Sequence, residues 1–190
     1  MKTPIASGRR LLLVSTACLA VAGSAEAANV LETRVTHDNG RYTVKFEVHI
    51  DAKQDTVRRD LTDYAHYTRL SETIRESRVI AVHSPDRARV AVTLDACVLV
   101  FCKTLHIVRE VEARPNGDLV TVAVPEESDF RYAHERWRII ADGAGTRLVY
   151  EAELVPDFYV PPLIGPWLLK YRISDELKTI AQRLELLANQ

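Results

Sequence analysis

The chain lacks the short motifs by which a hydrolase, a nucleotide-binding enzyme or a zinc protease usually shows itself. There is no GxSxG nucleophile elbow, no glycine-rich phosphate cradle and no HExxH pair. The six histidines are scattered, and the nearest two, His37 and His49, lie twelve residues apart. No local metal-ligand pair exists, so no metal and no cofactor are expected. An excess of one charge is also missing, since 25 Lys and Arg stand against 26 Asp and Glu. That excludes the basic surface a nucleic-acid binder needs. No internal repeat, low-complexity tract or linker divides the chain.

What is present begins with a leader. Lys2, Arg9 and Arg10 precede the apolar run LLLVSTACLAVAG, and Ala25-Glu26-Ala27 follows with small residues two apart. This is the layout of a secretory signal peptide over residues 1–27, cleaved near Ala27, and it predicts a periplasmic or secreted product. The run is short for a membrane span. A retained anchor is one alternative, and lipidation at Cys18 is another, although Ser15 stands where a lipobox carries Leu. From Ala28 onward 22 Lys and Arg face 25 Asp and Glu. Residues 28–190 suffice for one domain with a sizeable core.

Strand signals dominate that domain. In RYTVKFEVHI, Tyr42, Val44, Phe46, Val48 and Ile50 alternate with polar residues, so one face of a strand lies in a core. The preceding NVLETRVTH, joined through Asp38-Asn39-Gly40, predicts a hairpin. DAKQDTVRRDLTDYAHYTRL then breaks the pattern. Asp55 is a candidate cap and Thr62-Asp63 a second start, so two short helices joined by a bend are expected. Strand-like segments resume after Ser71 and continue to Val155. From Pro161, apolar residues at Leu163, Trp167, Tyr171, Leu177, Ile180, Ala181, Leu184, Leu187 and Ala188 read as one stripe on a long helix. Such a helix would run roughly 35–45 Å.

An antiparallel sheet must bury its apolar face, and three helices are too few to cover it flat. The expected fold is therefore α+β: a curved antiparallel sheet of about seven strands wrapped around a long C-terminal helix, with two short helices after the first long strand. In this order, YTVKFEVHIDAKQDTVRRDLTDYAHYTRLSETIRESRVI and DFRYAHERWRIIADGAGTRLVYEAELVPDFYVPPLIGPWLL resemble the START-like, helix-grip superfamily. That superfamily includes polyketide cyclases/dehydrases, coenzyme-Q-binding START proteins and the birch-pollen allergen. The resemblance implies a hydrophobic cavity between sheet and C-terminal helix, used for lipids, isoprenoids or polyketides. In some relatives it implies cyclisation or hydrolysis there.

Candidate ligand contacts on the helix are Leu163, Trp167, Tyr171 and Leu177, with plain core expected beyond Ile180. Opposite them stand Phe46, Val48, Leu148 and Tyr150, with Trp137 as an addition. Tyr64 and Tyr67 could gate the mouth with their amphipathic rings. Each of these serves equally well as packing. Glu76 and Arg78 share a strand face with Ile74, Ile80 and Val82, which makes them a paired polar handle if that face points inward. They are also the sole weak catalytic candidates. Cys97 and Cys102 form either a disulfide or two buried free thiols. Along a straight strand their sulfurs would lie roughly 16 Å apart, so a bond requires a turn within VLVF. That turn would present an apolar tip, Val98 to Phe101, suited to a ligand, a partner or a transient membrane contact, or else folded back into the core. The expected partner is a hydrophobic small molecule. An enzyme acting in the same cavity and an interaction module with a filled core are the alternatives.

Overall fold

The computed structural model describes residues 28–98, 101–161, 163 and 165–190. The proposed leader over residues 1–27 lies outside them. Among the described residues eight strands form one antiparallel sheet, in the order β1-β2-β8-β7-β6-β5-β4-β3. The strands are β1 (Asn29–Asp38), β2 (Arg41–Ile50), β3 (Ile74–Ser84), β4 (Arg87–Val98), β5 (Phe101–Ala113), β6 (Leu119–Ala123), β7 (Phe130–Asp142) and β8 (Gly145–Pro156). The count is one more than the expected seven, and the predicted hairpin is present, β1 pairing with β2 from Asn29–His49 to Asp38–Arg41. Its two-residue turn holds Asn39 at φ 46° and Gly40 at φ 79°. Left-handed residues at both positions match the twist of the flanking strands.

Helix α1 (Gln54–Thr62) and a 3₁₀ segment (Tyr64–Arg69) follow β2, the latter kinked at His66. Asp55 sits inside the first turn of α1, while Lys53 holds the cap position and makes no side-chain capping bond. The acidic residue therefore acts on the helix N-terminus through its charge. Long helix α2 (Gly165–Ala188) closes the fold.

The alternation in β2 is realised directly, with Tyr42, Val44, Phe46, Val48 and Ile50 all buried. Phe46 and Val48 pair with Tyr150 and Leu148 on β8. The Thr146 hydroxyl, also buried, donates to the carbonyl of Ala52 at 2.6 Å and ties the start of β8 to the chain entering α1. Against this floor α2 presses Leu177, Ala181 and Leu184, which join Phe46, Val48 and Leu148 in one core cluster.

Cys97 and Cys102 are directly opposed on β4 and β5, and their sulfurs are bonded at 2.15 Å. The chain does turn between them. The apolar tip proposed for VLVF falls on Leu99 and Val100, outside the described residues.

Burial assigns the phase of α2, and stability measurements check it. Leu184→Ala removes a fully buried side chain and should cost about 2–5 kcal/mol in urea unfolding. Leu186→Ala, at a half-exposed position, should stay within about 0.5 kcal/mol of wild type. Equal losses would contradict this orientation of the helix.

Candidate functional site

The inner face of the sheet carries small residues where bulk would be needed to reach α2. On β6 and β7, Thr121 and Ala133 contribute little volume, and a cavity of about 240 Å³ opens above them. Its apolar walls come from Val92 and Leu94 on β4, Leu105 and Ile107 on β5, and Trp137 and Tyr150 on β7 and β8. The roof is α2, through Leu169, Arg172, Ile173, Glu176, Leu177 and Ile180. These positions step by three and one, the spacing of a single helical stripe. Tyr64, Tyr67 and Leu70 close one side.

A pair of charges is sunk into this apolar wall. Arg109 Nη1 donates to Glu135 Oε2 at 3.4 Å, with both side chains mostly buried. The guanidinium carbon lies 5.7 Å from the ring centre of Tyr67, a cation–π distance. The Tyr67 hydroxyl donates to the Leu61 carbonyl at 2.7 Å. Burial opposes the charge on Arg109, but Glu135 and the surrounding tyrosines sustain it, and its pKa is raised on balance. Tyr150 lies beside Glu135 and its ring packs on Trp137 at 4.3 Å. Two cavity-lining residues carry buried polar atoms without a protein partner, Tyr42 Oη and Arg109 Nε. Neither atom has accessible surface, so both lie sealed in the wall behind the cavity lining.

The structure brings together Tyr64, Tyr67, Tyr150 and Leu177 around this cavity, along with Trp137. It places Phe46, Val48 and Leu148 elsewhere, fully buried in the packed core. Leu163, Trp167 and Tyr171 are exposed, at 96%, 68% and 58%. The reason is helical phase: six residues separate Tyr171 from Leu177, which sets them about 120° apart around the axis. Trp167 and Tyr171 instead stack on each other at 6.4 Å on the outer flank of α2.

Glu76 and Arg78 also leave the site. They contact each other at 3.6 Å with their side chains 60% and 66% exposed, projecting to solvent. A bulge between Ile74 and Glu76 shifts the strand phase by one residue, so Ser77 turns inward instead and donates to the Tyr64 carbonyl. They form no handle for a cavity ligand. The polar pair in the cavity is Arg109 with Glu135, which the sequence reading missed. Its signal was available, since Arg109 shares a phase with Leu105, Ile107 and Val111, and Glu135 with Ala133, Trp137 and Ile139.

Among the described residues no cluster of His, Cys, Asp and Glu could hold a metal ion, and no helix is long and apolar enough to cross a membrane.

Comparison with known proteins agrees with this geometry. A family model described as polyketide cyclase / dehydrase and lipid transport matches residues 41–185. Among solved structures, an aromatase/cyclase from Streptomyces sp. R1128 superposes with a TM-score of 0.65 at 14% identity, covering 77% of this chain and 93% of its own. A START superfamily protein from Mycobacterium smegmatis gives 0.63 at 18% identity, with 78% and 97% covered. A STAR-related lipid transfer protein from Xanthomonas axonopodis gives 0.62 at 16%, with 83% and 99% covered. No curated protein matches the chain. At these identities the superpositions speak for the fold alone.

Burial raises the pKa of Tyr42, Tyr64, Tyr67 and Tyr150 above the ordinary 10.0. The folded state therefore holds these phenolic protons more tightly than the unfolded chain. The stability this contributes is complete below pH 10 and is lost as pH rises through the folded-state values. The urea midpoint should fall steeply between about pH 10 and 12, and less steeply in Tyr150→Phe. An identical decline in both proteins would contradict the buried, neutral state assigned to Tyr150.

Proposed function

This chain belongs to the polyketide cyclase / dehydrase and lipid transport family, and from that premise we propose that it is an exported protein that binds a hydrophobic small molecule, such as a lipid, isoprenoid or polyketide-like compound. The observation that carries this reading is the cavity itself. An apolar space of about 240 Å³, partly open to solvent, leaves its lining side chains without packing partners, and a ligand that fills it supplies them. The open cavity also weighs against an interaction module with a filled core. A few convergent polar groups in apolar walls are the usual composition of a small-molecule site.

Export is supported by the leader's layout and by the Cys97–Cys102 bond, which suits an oxidising compartment. A transient membrane contact is supported by the exposed Tyr159, Leu163, Trp167 and Tyr171, which flank the roof helix where it borders the cavity. Trp and Tyr are the side chains that sit well at a lipid–water boundary.

An enzymatic reading, cyclase, dehydrase or hydrolase, would rest on Glu135 as the proton-transfer group. It lies deep among the lining residues, with Arg109 and Tyr150 beside it. Glu176 is a weaker candidate because Thr73 already donates to it at 2.9 Å at the roof.

Two measurements test the binding reading. Native mass spectrometry of protein purified from the periplasm should show a co-purifying apolar molecule released unchanged, whereas a converted product that disappears in Glu135→Gln would favour the enzyme. Ala133→Trp, which fills the floor of the cavity, should weaken binding of the neutral dye Nile red by about tenfold or more while the chain stays folded. An unaltered dye affinity would place binding elsewhere.

A further inference from the structure

Past the edge of the sheet the β4–β5 hairpin runs on alone. β3 leaves β4 at Leu94 and β6 leaves β5 at Arg109, whereas β4 and β5 stay in register out to Val98 and Phe101. Contacts from neighbouring segments support part of this end. The Asp95 amide donates to the Thr73 carbonyl at 2.8 Å, the Arg75 guanidinium pairs with the Asp95 carboxylate, and Lys103 Nζ reaches Asp129 at 3.1 Å. Among the described residues the last ladder pairs, Cys97–Cys102 and Val98–Phe101, have no third strand beside them. A two-stranded ribbon is marginal in water on its own. Here the Cys97–Cys102 bond closes it.

The same end of the hairpin is cavity wall. Leu94, Asp95 and Ala96 on β4 and Leu105 on β5 line the cavity, and Ala96 is the residue next to Cys97. Both cysteines are exposed, so a dithiol in solution can reach their sulfurs. The two lie only five residues apart in the chain, and a cross-link over so short a loop restricts the unfolded chain least. Its support of the whole fold is therefore at the low end for a disulfide, and its larger effect is on whether the ribbon frays from its tip. We infer that Cys97–Cys102 is a redox clasp on the cavity, an inference that rests on the binding and export proposed above. Oxidised, it holds the wall at Ala96 against fraying and retains the guest; reduced, it lets that wall open locally and the guest leaves faster.

The chemistry balances with a dithiol as the reductant. One of its thiolates attacks a sulfur of the pair, the Cys97–Cys102 bond breaks as a mixed disulfide forms, and the second thiol of the reductant displaces the cysteine. The clasp gains two electrons and two protons in this two-electron couple, and the reductant leaves as a disulfide. In an oxidising compartment the bond forms again.

Stopped-flow release of Nile red tests the clasp on protein purified from the periplasm, before and after dithiothreitol, with free thiols counted by alkylation and mass. The reduced protein should release the dye about fivefold faster or more, and reoxidation should restore the slow rate. Cys97→Ser with Cys102→Ser should release it at the fast rate with or without dithiothreitol. Hydrogen exchange on reduction should show protection lost over residues 95–97 and 102–105 and kept across β2. Reduction of the wild-type protein stands as a test even if the double variant fails to fold. Equal release rates in the two redox states, with dye bound in both, overturn the clasp and leave the binding reading intact. A bond that dithiothreitol leaves unbroken in the folded protein, or cysteines that emerge from the periplasm as free thiols, also overturn it. Protection lost across β2 as well would make the bond a support of the whole fold and overturn the local clasp. Failure of both redox states to bind the dye overturns the binding reading and the clasp with it.

Discussion

The eight strands offer one inner face to a single helix, and a 24-residue helix is about 36 Å long and roughly 10 Å wide. It can touch only part of a concave surface that broad. Where Ala181 and Leu184 meet Phe46, Val48 and Leu148 the contact is complete and the side chains are wholly buried. Where Leu169, Ile173 and Leu177 pass over Thr121 and Ala133, the sheet falls away and the side chains below are too small to follow. The cavity is thus a consequence of matching a curved surface to a straight one, with small residues holding it open.

The same mismatch explains why charges occur on the inner face. In a close-packed core the Arg109–Glu135 pair would give up water on all sides for one contact, at considerable cost. In the cavity wall the two side chains pair with each other and stay mostly buried, at 16% and 13% exposed. Three tyrosines surround it, Tyr64, Tyr67 and Tyr150, each held neutral by burial. Their rings supply apolar wall and cation–π support at once, as Tyr67 does over Arg109. The rest of the lining is mostly hydrocarbon or aromatic, with Arg172 and Glu176 at the roof and Asp95 on β4.

How much of this could be read from the sequence depended on whether a local pattern survived into three dimensions. The alternation from Tyr42 to Ile50 did, because β2 pairs with β8 without a break and the irregularity against β1 puts its extra residue, Leu31, on β1. The family resemblance supplied the helix-grip arrangement that local patterns could not. The phase of α2 was harder. Its apolar residues outnumber those one face can hold, and the large aromatics Trp167 and Tyr171 drew attention to a flank that faces water. Glu76 and Arg78 failed for a different reason, since β3 has three register shifts, the first between Ile74 and Glu76, and each changes which side chains face inward without a trace in composition. Arg109 and Glu135 lie twenty-six residues apart on strands separated by β6. Each looked like an isolated polar break in an apolar phase until the sheet order brought them together.

The central claim is that guests sit under the Leu169–Leu177 stretch of α2, above the small floor of β6 and β7. Methyl NMR of the full domain titrated with a neutral apolar probe tests it most directly, since each Leu and Ile methyl reports its own surroundings. Shifts concentrated on cavity-lining methyls such as Leu105, Ile107, Leu169, Ile173 and Leu177, with Leu148 and Leu184 unmoved, are the predicted result. Shifts centred on Leu163 and Leu186 at the outer surface, with Ile173 and Leu177 silent, would contradict it.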